Sequence, residues 1–179
     1  LRSRLAQQRG DLDGARARIE AVLEREPENP TAIFRLAELQ LAEGDPETAD
    51  QTLRPITDLI REDARAQLLQ GTIKARLGQY AQARRFLGRY LSQRPDDAAT
   101  RQLLAAVALE DGAARAAMDT LAELAEDPES QNVAGLVLLS SAQLRTDAHA
   151  AARATLARIA GSDSANDARQ ARHLLAILD

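Results

Sequence analysis

Gly44-Asp45-Pro46-Glu47-Thr48-Ala49 closes one helix and opens the next. The glycine tolerates the left-handed backbone of a helix end, and the aspartate side chain caps the following turn. Proline at the first helical position loses no hydrogen bond, because that N–H has no partner within the helix. The glycine and the alanine five residues on recur: Gly10, Gly44, Gly78 and Gly112 are 34 apart, and Ala15, Ala49, Ala83, Ala117 and Ala151 keep the same step. Pro27 and Pro95 form a third column at twice that spacing, with Arg61 between them and Glu129, beside Pro128, after them. Asn29-Pro30 is a second capping pair. A period of this length with one tight turn inside it predicts an all-α fold of stacked helix pairs, in which each unit buries its apolar face on its neighbours.

Working outward from these turns, the sequence predicts helices at about 1–9, 12–26, 30–43, 46–61, 63–77, 80–93, 96–110, 113–126, 129–145, 148–160 and 164–178. Pro55 falls inside the fourth and should disturb it. Residues 1–179 then read as a single array of five helix pairs, the first truncated, followed by a lone final helix at 164–178. The chain opens at Leu1 partway into a helical unit, so it reads as a fragment or a processed product of a longer protein. Nowhere does apolar and polar alternation run long enough to argue for a strand.

Composition narrows the packing. Alanine fills 37 positions while aromatic residues are only 2%, so the core is aliphatic and helices can approach closely. With no Cys there is neither a disulfide framework nor a thiolate metal site. Residues 1–94 carry 16 basic and 14 acidic groups, and 95–179 carry 7 and 13, a split too weak for the clustered positive field of a nucleic-acid surface. No apolar run reaches transmembrane length.

The residues at the recurring positions resemble the tetratricopeptide repeat family. Ile33-Phe34-Arg35-Leu36-Ala37 and Arg101-Gln102-Leu103-Leu104-Ala105 match the leucine–small pair of the first helix, and Gly71 and Leu138 match half of it. Ala15 with Ile19, Ala49 with Leu53, Ala83 with Leu87 and Ala117 with Leu121 match the second helix. Two places depart: Gln67, Gln70 and Lys74 stand in apolar slots of the third unit, and Thr146, His149 and Thr155 replace turn and packing residues of the last full unit. The resemblance implies a right-handed α-solenoid of antiparallel helix pairs whose first helices line a concave groove holding a protein or peptide ligand.

At steps of 34 the rows expected to line that groove are Phe34, Leu68, Gln102 and Leu136; Glu38, Thr72, Ala106 and Ser140; and Leu41, Ala75, Leu109 and Gln143. Spacings of three and four place each trio on one side of its helix, with Arg65 and Arg76 flanking the stripe as grips for carboxylates. The same periodicity fits a core face as well as a ligand face. The rows hold no Asn and no Lys, so the two-carboxylate clamp of some relatives is not expected.

Other chemistry is weakly supported. There is no phosphate loop, dinucleotide fingerprint or nucleophile elbow, and no cofactor or metal is expected. His149 and His173 stand on different helices without a His or Cys companion. The acidic pairs Glu62-Asp63, Asp96-Asp97 and Glu126-Asp127 fall at helix ends, where capping and dipole effects account for them. The most basic stretch, Lys74, Arg76, Arg84, Arg85, Arg89, Arg94 and Arg101, reads as a solvated face, with an acidic partner or an anionic polymer such as a polysaccharide as the alternative ligand.

Ala83-Arg84-Arg85-Phe86-Leu87-Gly88-Arg89-Tyr90-Leu91, then Arg94-Pro95 and Arg101-Gln102-Leu103-Leu104-Ala105, is similar to repeats of large bacterial lipoproteins associated with exopolysaccharide production and PEP-CTERM sorting. That resemblance implies a non-enzymatic scaffold in the periplasm or cell envelope, working in polysaccharide assembly or export. A cytoplasmic adaptor is the alternative.

Overall fold

The computed structural model describes residues 2–127 and 132–178. These form helices and turns, with no strand among them, and the chain divides into two compact units, Leu1–Gln93 and Arg94–Asp179.

The first unit contains α1 (Arg2–Leu23), α2 (Pro30–Ala42), α3 (Pro46–Leu53), α4 (Ala64–Arg76) and α5 (Tyr80–Gln93). The caps anticipated from sequence are present: Asn29 accepts from the Ala32 N–H at 3.0 Å and Asp45 from the Thr48 N–H at 3.0 Å. Asp63 does the same for Ala66 at 2.9 Å, so one of the acidic pairs is a cap. Gly44 and Gly78 turn the chain with φ of +87° and +69°. In each turn the next N–H reaches back to a carbonyl five residues earlier, Asp45 to Gln40 and Gln79 to Lys74, which satisfies carbonyls left over at the helix end. The core is aliphatic, with Ile33, Ala37, Ala49, Leu53, Ile56, Leu69 and Ile73 buried together.

Two expectations are corrected here. Gly10-Asp11 does not end a helix, because α1 continues through it; glycine inside a helix costs only about 1 kcal/mol, and this site lacks the capping proline of Asp45-Pro46. The helix expected at 46–61 stops at Leu53 and becomes a 3-10 turn, Arg54–Ile56, since Pro55 supplies no N–H to continue the α ladder.

The second unit contains α6 (Ala98–Glu110), α7 (Ala114–Thr120), α8 (Ala122–Glu126), α9 (Val133–Arg145), α10 (His149–Ala160) and α11 (Ala165–Leu178). Asp97 caps α6 and Asn132 caps α9, each accepting an N–H at 3.0 Å. The caps Asn29, Asp63 and Asp97 are 34 apart, but Asn132 follows at 35. Everything after it moves by one residue. The fourth turn is at Asp147, with φ +57°, rather than at Thr146. The alanine column ends on Ala152, fully buried like Ala49, Ala83 and Ala117, and not on the exposed Ala151. Leu156, not Thr155, then continues Leu53, Leu87 and Leu121. The helix expected at 113–126 is broken at Leu121, and the one expected from 129 begins at Val133; residues 128–131 lie outside the described ones.

Candidate partner-binding face

In the first unit, α2 and α4 set their expected residues side by side. Phe34, Glu38 and Leu41 on α2 and Leu68 and Thr72 on α4 are half-buried, whereas Arg65 and Arg76 are exposed. The Arg65 guanidinium lies 5.7 Å from the centroid of the Phe34 ring, and its Nη2 donates to Glu38 Oε1 at 3.1 Å. Arg35 Nη1 donates to the other Glu38 oxygen at 2.7 Å. Each such exposed contact stabilises by only about 0–1 kcal/mol. Their consequence is order: two long cations, Arg35 and Arg65, are tied to one carboxylate, and Arg65 also lies over an aromatic ring. Thr72 Oγ1 donates to Leu68 O at 2.8 Å, so its hydroxyl is engaged within α4.

Beside this cluster lies a hollow of about 330 Å³ whose walls include Phe34, Leu59 and Ile60 together with the charged Arg35, Asp63 and Arg65. Leu59 is 74% exposed. Sequence reading missed Leu59 and Ile60 because it kept them in the helix over 46–61. Pro55 was the available signal, since the helix it stops releases this segment to wall the hollow.

Two of the three polar slots of α4, Gln67 and Lys74, are explained by their partners. Buried Gln67 donates to Arg61 O at 2.9 Å and receives Gln93 Nε2 at 3.3 Å, and Lys74 pairs with Asp50 at 2.8 Å. The small residue at Gly71 brings α5 close: a methyl group there would come within 2.7 Å of Leu87 Cδ2.

In the second unit the expected residues separate. Gln102 is half-buried and donates to Asn132 Oδ1 at 2.9 Å, bracing the cap of α9. Ala106 is half-buried. Leu109 belongs to the core, and its carbonyl accepts from Arg145 Nη1 at 2.7 Å. Leu136 and Ser140 are 2% and 3% exposed, and Gln143 is buried as well. The positions on α9 that match Phe34, Glu38 and Leu41, counted from the caps, are Val137, Ser141 and Leu144, all more open than these.

His149 is exposed beside Asp147, and His173 is exposed. No group of three metal-ligating side chains occurs among the described residues, and none of their helices is long and apolar enough to cross a membrane. Arg101 is paired with Glu123.

Residues 6–73 and 65–97 match tetratricopeptide repeat patterns, together just over half of the chain. Among solved structures, the RS-1 MamA ArsTM double mutant superposes with a TM-score of 0.74 at 18% identity, covering 87% of each chain. Another MamA crystal structure gives 0.69 at 20% identity over 85% of each. PilF of Pseudomonas aeruginosa gives 0.67 at 18% identity, covering 96% of this chain and 83% of its own. At these identities the likeness concerns the fold, which is the all-α helix-pair class expected from the repeat. No curated protein matches the sequence.

Proposed function

Because the chain belongs to the tetratricopeptide repeat family, whose members are generally non-catalytic scaffolds, we propose that it binds a protein or peptide along the face formed by α2 and α4. The observation that carries this reading is the half-buried stripe of Phe34, Leu41 and Leu68, framed by Glu38, Arg65 and Arg76. Partly open apolar surface beside ordered charged groups suits a partner that buries the first and pairs with the second. In the family this is the concave face. Gln102, Leu109, Leu136 and Ser140 contribute less, because their side chains brace or fill the second unit, and Ala106 offers only a half-buried methyl group.

The test is partner capture by the wild-type chain and by Phe34→Ala with Leu68→Ala, with thermal melting to confirm that the double variant folds. Loss of the captured protein from a folded variant supports the reading; unchanged capture overturns it.

The setting we propose is the bacterial cell envelope, in exopolysaccharide assembly or export, on the strength of the resemblance across residues 83–105. The rival is a cytoplasmic adaptor. Fractionation of the intact protein separates the two: a cytosolic location removes the envelope reading and leaves the scaffold reading in place.

A further inference from the structure

We infer that the α2–α4 face takes an extended acidic peptide, with one apolar side chain in the hollow beside Leu59 and Ile60 and carboxylates over Arg65 and Arg76. This rests on that face being the binding face and adds the chemistry of its ligand.

Charge points to the acid. Helix α4 holds Arg65, Lys74 and Arg76 and no Asp or Glu. Lys74 is neutralised by Asp50. Arg76, at the far end of the stripe, is exposed and has no acidic partner among the described residues. At the near end Arg35 and Arg65 divide the single Glu38 carboxylate, while Asp63 is occupied in capping Ala66. A guanidinium fork donates two parallel N–H bonds to a carboxylate, and Arg65, with a side chain 62% exposed, retains donors beyond the one facing Glu38.

Geometry points to an extended chain. Arg65, Leu68, Thr72 and Arg76 follow one another at steps of three, four and four, so they share one side of α4. The rise from Arg65 to Arg76 is about 16 Å, which an extended peptide covers in about five residues. Between the arginines the surface offers Leu68 and the Thr72 methyl, since the threonine hydroxyl is bonded to its own helix. The hollow favours a peptide over a polysaccharide: its walls include Pro30, Phe34, Leu59 and Ile60, and the Phe34 ring, a natural stacking platform for a sugar, already carries Arg65.

The experiment is fluorescence anisotropy of the whole chain with labelled synthetic peptides. Each carries one phenylalanine and two glutamates about five residues apart, made in both sequence orders, with glutamine-for-glutamate and alanine-for-phenylalanine versions and alginate as a competing polyanion. Arg76 is exposed, so Arg76→Glu should fold normally. We expect it to weaken the better-binding peptide about tenfold. Replacing the distal glutamate should cost as much, and the two changes together no more than either alone. Removing the phenylalanine should weaken binding to the same degree in wild type and Leu59→Ser only if the hollow is not used; sensitivity lost in Leu59→Ser is the expected result.

Three outcomes overturn the inference: no peptide binding, binding indifferent to Arg76→Glu, or alginate binding with the same Arg76 dependence and peptide binding without phenylalanine dependence. Because partner capture by wild type and by Phe34→Ala with Leu68→Ala is measured separately, the acidic-peptide inference can fail while the scaffold reading stands.

Discussion

The helix pairs α4–α5 and α9–α10 are built alike and reached differently. From cap to turn the count is the same in both: Asp63 to Gly78 and Asn132 to Asp147 each span 15 positions. Each also has a glycine at which the neighbouring helix comes close, Gly71 against Leu87 and Gly135 against Leu124. The difference lies in the leg between pairs, 19 positions from Gly44 to Asp63 and 20 from Gly112 to Asn132. The longer leg is the one whose helix breaks at Leu121, and Arg158 holds the carbonyls of Leu124 and Asp127 behind the break. The cap-to-turn unit is therefore the conserved quantity of the repeat within this chain, and a 34-residue period is its consequence only where the return leg is regular.

The sharpest way to break that comparison is to overfill the alanine column. Ala152→Leu, at a fully buried site, should destabilise by about 1–3 kcal/mol, as should Ala83→Leu, whereas Ala151→Leu on the exposed side should stay within about 0.5 kcal/mol. Chemical denaturation of the three variants decides the register. If Ala151→Leu is the damaging change, the step of 35 is wrong.

A second prediction addresses the longer leg. Arg158→Ala should cost about 1–2 kcal/mol by removing charge-assisted bonds to two carbonyls, and hydrogen exchange should quicken over 122–127. Exchange that speeds uniformly through the chain would show that Arg158 supports general packing rather than this leg.

The readable part of the fold was local. Asn29-Pro30, Asp45-Pro46 and the glycines of the turns declare themselves because each satisfies an immediate backbone requirement. The shift to 35 is hidden by coincidence of residue type: Ala151 adjoins Ala152, Leu156 adjoins Thr155, and Glu129, in the proline column at a step of 34, adjoins Pro128. Only burial separates such neighbours. The same shift explains the candidate face, where Leu136, Ser140 and Gln143 were placed one residue away from the open positions Val137, Ser141 and Leu144. In the first unit, where the period is regular, Phe34, Glu38 and Arg65 are in contact, and Leu68 and Thr72 are half-buried on α4. Leu59 and Ile60 were not legible because their position depends on where the chain goes after Pro55, a tertiary outcome that no helical periodicity encodes.

The turns themselves offer a smaller contrast. Gly78→Ala places a side chain at φ +69° and should cost about 1 kcal/mol, although open space surrounds the site. Asp147 already occupies that region at φ +57°, so Asp147→Gly should stabilise by about 0.5 kcal/mol, the relief of backbone strain exceeding the added freedom of the unfolded chain. Thermal melts of the pair check the signs. A destabilised Asp147→Gly would mean that the aspartate side chain contributes to the turn.

The smallest expected effect is a difference in acid response between two second helices. α3 is capped by Asp45, whose carboxylate is held below the ordinary Asp range, chiefly by the Thr48 hydroxyl and then by the Thr48 N–H. α10 starts at His149, and the residue before it, Ala148, provides no side-chain cap. A carboxyl whose folded pKa is depressed contributes stability above its unfolded pKa, about 3.9 for Asp, and loses it as pH falls through the lower folded value. Acidification should therefore loosen the first turn of α3 only below the usual Asp range and leave α10 unaffected. Asp45→Asn keeps a capping oxygen without a titrating group, so it should remove the pH dependence while preserving the turn. The readout is the amide resonance of Thr48 followed through an acid titration. A midpoint at or above the ordinary Asp range would show that the cap is not selectively stabilised in its charged form, and a matching transition at the start of α10 would show that the acid response is global rather than seated at Asp45.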